Sequence, residues 1–182
     1  MPSLSSLLER IDWEDITKGM PGRFHGDFHF ENILWQDTSK TFIFLDWRQD
    51  FAGDLNIGDI YYDLAKLLHG IILSHELVSA NAFRVDWTDS AISFNFHRYH
   101  VHVECEKYFA VWCKDNGFDY SKVRVLTALI YLNIAALHHS PYSLLLYTLG
   151  KSMLKSQLDG QCKVIFRDRD IISGTKDLET LY

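Results

Sequence analysis

The stretch FHGDFHFENIL, residues 24–34, sets His25, Asp27, His29, Glu31 and Asn32 within eight consecutive positions among apolar neighbours. A further acid, Asp46, follows fourteen residues after Asn32, at the end of the strand-like run FIFLD. Asn32 and Asp46 offer hard oxygen donors. Such donors suit Mg²⁺, which takes one or two carboxylates and completes its shell with water and substrate phosphates. Asp27 then remains free to accept a proton from a hydroxyl. The bland alternative is that these residues only cap turns, where Asp and Asn are favoured for local hydrogen bonding. Spacing and order weigh towards a phosphotransfer site.

That site needs a loop, two paired strands and a helix. NILWQ and TFIFLDW read as short strands, and DTSK between them supplies turn residues, so a β-hairpin is expected over 33–47. Its closure would bring Asn32 and Asp46 to one end. DIYYDLAKLLHGIIL reads as a helix with Asp59 as N-cap and Ile60, Leu64, Leu67 and Leu68 on one face. Upstream, SLSSLLERI reads as a short helix capped by Ser3 or Ser5, with Leu7, Leu8 and Ile11 on one side. KGMPGR reads as a loop, and residues 47–58 as irregular. Residues 74–90 read as mixed helix and loop, with RVDW extended.

The second half reads as helical. SFNFHRYHVHVECEKYFAVWCKDNG is expected to be one long helix ended by Gly117. DYSKVRVLTALIYLNIAALHH is a second, stopped by Pro141. SPYSLLLYTLGKSMLKSQ is a third, with Pro141 at its first helical position. The expected fold is therefore α+β and mainly helical, with a helical body over 59–159 and a small β-hairpin beside it. Residues 160–182 form a polar, weakly patterned tail in which CKVIF could make a short strand.

Bulk composition excludes several classes. With 182 residues, 47% hydrophobic and 23% charged, the chain suits one globular domain with a proper core. A net charge of −6, from 18 basic and 24 acidic residues, argues against a broad nucleic-acid footprint. Cys105, Cys113 and Cys162 are odd in number and lack CxxC spacing, which disfavours a disulfide framework or zinc ribbon and fits reduced thiols in a cytoplasm. The N-terminus has no cationic start followed by an apolar run, and no apolar stretch is long enough to span a membrane.

HGDFHFEN has the His-x-Asp-x₄-Asn spacing of the protein-kinase catalytic loop, and LDW stands where that fold carries its metal Asp. Together, HGDFHFENIL, FIFLDWRQDF and GDIYYDLAKLL resemble the aminoglycoside phosphotransferase and choline kinase group, which is kinase-like. The resemblance is close over roughly residues 24–68. It implies an ATP-dependent phosphotransferase acting with Mg²⁺ on a hydroxyl of an aminoglycoside-, choline- or sugar-like acceptor. Asp27 becomes the catalytic base, and Asn32 and Asp46 become the ligands of the nucleotide-bound metal. His25 becomes a loop organiser, and Asp63 a buried carboxylate bracing the loop. About 23 residues precede the loop, with no Gly-rich segment or strand-borne lysine among them. The resemblance is thus to the C-terminal lobe, with the N-lobe expected from a longer chain or a partner. A non-catalytic binding module built on the same lobe is the main alternative.

Other motifs read more plainly. GDFH faintly suggests a metallophosphoesterase through His29, but the remaining elements of such a site are missing. His29 and Glu31 read instead as loop residues near the phosphates or the acceptor. His97, His100 and His102 do not share one helix face and read as a surface or partly buried face. His138 and His139 suit a helix C-terminus. Arg48 could pair with phosphate or with Asp50 or Asp54. Tyr61, Tyr62, Trp87, Tyr99, Tyr108 and Trp112 are candidates for core packing first and for pocket walls second.

Overall fold

The computed structural model describes residues 1–89 and 91–161 in full, and the backbone of 171–173. The fold is α+β: close to half of the described residues are helical, and the strands form small antiparallel sheets. Two short helices open the chain, α1 (Leu4–Leu8) and α2 (Trp13–Thr17). Ser3 caps α1 by accepting the Ser6 N–H, and Leu7 and Ile11 are buried in the core. Lys122, from a later helix, donates to the carbonyls of Asp15 and Lys18 and so satisfies the end of α2.

The KGMPGR segment is not wholly a loop. Its β1 (Pro21–Gly22) pairs with β4 (Gly58–Asp59). A two-residue ladder leaves almost no periodic signal in the sequence. Asp59 Oδ1 accepts the N–H of Met20 at 2.9 Å and of Tyr61 at 3.0 Å, so one carboxylate ties the incoming chain to the start of α3 (Ile60–Ile72). The expected hairpin is present as β2 (Ile33–Gln36) and β3 (Thr41–Phe44), with Ile33 opposite Phe44 and Gln36 opposite Thr41. A single 3₁₀ turn, Phe30–Asn32, leads into it. Residues 45–57 are irregular apart from one bridge between Phe51 and Asp54.

The body bears out the extended RVDW and corrects the long helix expected from Ser93. After α4 (His75–Ser79), β5 (Phe83–Thr88) pairs with β6 (Ala91–His97), and β6 pairs with β7 (Ile171–Ser173). The long helix expected from Ser93 therefore begins only at α5 (His100–Asp115). Ile92, Phe94 and Phe96 alternate with Ser93, Asn95 and His97, and that period of two is a strand signal. Phe94 and Phe96 are buried. Of the tail, Ile171–Ser173 forms the β7 edge, whereas CKVIF lies outside the described residues.

Two long helices complete the body, α6 (Tyr120–Ala135) and α7 (Tyr142–Leu158). α6 ends four residues before His139, and Pro141 caps α7 rather than occupying its first turn. α6 and α7 touch closely where Gly150 faces Ala128: a Cβ at Gly150 would lie 2.8 Å from the Ala128 carbonyl oxygen. α3 packs on α6, joined by hydrogen bonds from Thr127 to the Ala65 carbonyl and from Tyr131 to the His69 carbonyl. The core thus sits among α1, α3, α5, α6 and α7. Among the described residues no helix is long and apolar enough to cross a membrane.

Candidate functional site

The 24–34 loop lies along one face of α3. Asp63, buried on the first turn of the helix, accepts the backbone N–H of His25 at 2.6 Å and of Gly26 at 2.8 Å. Two amides that would otherwise be orphaned in the interior are satisfied by one carboxylate. Gly26 has φ +81°, and a Cβ there would stand 2.6 Å from the Arg48 side chain. The left-handed backbone and the lack of space both demand glycine. His25 is buried against the Trp47 ring, with 4.8 Å between centroids, and its Nδ1 accepts the Asp27 N–H at 3.3 Å.

Asp27 is gripped from both sides. Lys66 Nζ lies 2.7 Å from its Oδ1, and His29 Nε2 lies 3.2 Å from its Oδ2. The His29 hydrogen bond, followed by the Lys66 cation, holds this carboxyl far below the usual carboxylate range. His29 also contacts Glu31 through Nδ1 at 2.7 Å. Bridging Asp27 and Glu31 raises the imidazole from its usual 6.5 to about 9, while Glu31 falls to about 2 through its bond to His29. With a carboxylate at each ring nitrogen, the surroundings of His29 favour the imidazolium form, which donates from both. His29 Nε2 also lies 3.2 Å from Asn32 Nδ2, so the imidazole touches both Asp27 and Asn32.

Asn32 is brought directly to Asp27. Its Nδ2 donates to the Asp27 carbonyl at 2.9 Å, which leaves Oδ1 as its acceptor for a cation. Asp46 is placed by the backbone on either side of it. The Leu45 N–H donates to the Asn32 carbonyl and the Arg48 N–H to the His25 carbonyl, each at 2.9 Å. Asp46 itself sits at φ 54°, a conformation that aspartate tolerates better than most residues. Its carboxylate is exposed and forms no hydrogen bond or ion pair among the described residues. The structure thus joins Asp27, Asn32, His25 and Asp63 by direct contacts and brings Asp46 beside them through the chain.

Two residues that shape the loop escaped the sequence reading. Lys66 and Gly70 follow Asp63 at i+3 and i+7 on the same face of α3. A Cβ at Gly70 would stand 3.3 Å from His29 Cβ, so the helix is hollowed where the loop crosses it. A glycine inside an otherwise regular apolar helix was the available signal. Arg48 pairs with neither Asp50 nor Asp54; its guanidinium lies 5.8 Å over the Tyr62 ring. Of the aromatic candidates, Tyr61 is buried in the core, whereas Tyr108 and Trp112 line a cavity beside the loop. His97 ends β6, His100 and His102 lie on α5, and His138 and His139 are exposed beyond α6. No three His, Cys, Asp or Glu side chains converge as a metal cage among the described residues.

A family model described as the phosphotransferase enzyme family matches residues 4–105. No curated protein and no solved structure matches the chain.

Proposed function

The chain belongs to this phosphotransferase family, and from that premise we propose that it transfers the γ-phosphate of ATP to a hydroxyl of a small aminoglycoside-, choline- or sugar-like acceptor. The observation that supports this most is the junction of Asp27 with Asn32 on a loop clamped to α3. In this reading Asp27 orients the acceptor oxygen and receives its proton. A carboxylate paired with Lys66 and His29 is a weak base. That suits a loose transition state, in which positioning and charge neutralisation carry most of the catalysis.

Asn32 and Asp46 fit Mg²⁺ by their chemistry: one amide oxygen and one exposed, unpaired carboxylate leave room for water and phosphate oxygens. When bound there, the ion would neutralise charge on the phosphates. The same proposal takes 1–159 as a kinase-like C-terminal lobe. The nucleotide-covering lobe would come from a longer chain or a partner, and the setting would be cytoplasmic.

The test is phosphate transfer from labelled ATP by the chain with its N-lobe present. Asp27→Asn should lower turnover by about 10²–10⁴-fold while magnesium-dependent nucleotide binding persists. Undiminished turnover in that variant would overturn the assignment. Absence of any magnesium-dependent nucleotide binding would favour the non-catalytic module.

A further inference from the structure

Beside the catalytic loop lies a groove of about 590 Å³, the size of a site for a small organic ligand. Leu64, Leu67 and Ile71 of α3 form one wall. These are the neighbours, one position on, of Asp63, Lys66 and Gly70, which carry the loop. The groove is therefore about 100° around the helix from the catalytic face. Phe28 and Phe30 close its near end, and they alternate along the loop with Asp27, His29 and Glu31. The far wall is α5, from Val101 to Trp112, where Val101 and Tyr108 are 60% and 73% exposed. Large apolar side chains left this open in water mark a binding surface.

The polar content of the groove is slight. Its lining holds one carboxylate, Glu104, and Lys107 already pairs with it at 2.7 Å. A polycationic acceptor would lose water there and find a single half-exposed carboxylate, already shared with Lys107, as counter-charge. Resting on the phosphotransfer reading above, but replacing its polar aminoglycoside- and sugar-like acceptors, we propose that this groove seats the acceptor, and that the acceptor is an alcohol with a predominantly apolar body. The apolar part lies between α3 and α5, and the hydroxyl emerges past Phe28 towards Asp27.

The experiment uses the full chain with phenylpropanol as apolar probe and neamine as polycationic probe, read by ligand-observed NMR. Phenylpropanol should bind saturably and neamine should not displace it. Cys105→Trp, which fills the groove, should weaken the binding at least tenfold. So should Tyr108→Glu, which places a charge on an exposed wall position where folding is not at stake. Displacement by neamine, binding indifferent to both variants, or no saturable phenylpropanol binding would each overturn the proposal. A dimer in sedimentation that Tyr108→Glu dissociates would also overturn it, by showing that a second copy fills the groove. Failure of the underlying reading looks different: the alcohol binds as expected, but magnesium-bound nucleotide does not.

Discussion

At the scale of single residues, the site is a chain of alternating charges: Lys66, Asp27, His29 and Glu31. A charge-assisted hydrogen bond is worth about 1.5–3 kcal/mol. Lys66→Met should therefore raise the Asp27 midpoint towards the ordinary carboxylate range, visible in carboxyl-carbon NMR, and lower turnover about tenfold or more. The pH dependence follows from the directions of the shifts. His29 titrates higher in the folded protein than in the unfolded chain, so its contribution is full below pH 6.5 and is lost as pH rises through about 9. Asp27 and Glu31 titrate lower when folded, so theirs is full above the usual carboxylate values and is lost as pH falls towards 2. The loop should be held most firmly between about pH 5 and 6.5. The His29 ring protons should titrate near 9 in NMR; a midpoint near 6.5 would refute the double clamp.

At the scale of elements, α3 is the scaffold of the loop. Asp63→Ala would strand two buried amides, and each lost partner costs about 1–3 kcal/mol. The expected result is a fall of about 2–5 kcal/mol in urea unfolding, with faster exchange at the His25 and Gly26 amides. Asp63→Asn, which keeps one acceptor, should cost about half as much. Much of this element was legible: Asp59 as N-cap, the apolar face and the hairpin all show local periodicity or capping chemistry. Asp63 read as an ordinary helix residue by itself, and only the resemblance gave it a task. Lys66 and Gly70 stayed silent because their meaning depends on which face meets the loop. β6 was misread because HRYHVHVEC continues directly from FNF, and the helical pattern after His100 masked the alternation before it.

At the scale of the whole molecule, a charged cluster joins the β-sheet end to the helices. Glu106 of α5 is fully buried, 2.7 Å from Arg98 after β6 and 3.5 Å from Arg124 of α6. Removing one member of such a cluster leaves uncompensated charge in the interior. Glu106→Gln should destabilise the fold by about 3–5 kcal/mol in thermal or denaturant unfolding, far from the loop. Nothing in the sequence announces this cluster, since its members lie on three elements whose packing no local pattern reveals. α3 carries a different global consequence. Its residues 63, 66 and 70 serve the loop, while 64, 67 and 71 line the groove, so the two tasks are interleaved by a single step along the chain. Inserting or deleting one residue between Asp59 and Asp63 would turn the helix by about 100° relative to its start and present groove side chains to the loop. Length variation in this family member should therefore fall outside α3, in stretches such as 47–57, and any tolerated change within the helix should come as a full turn.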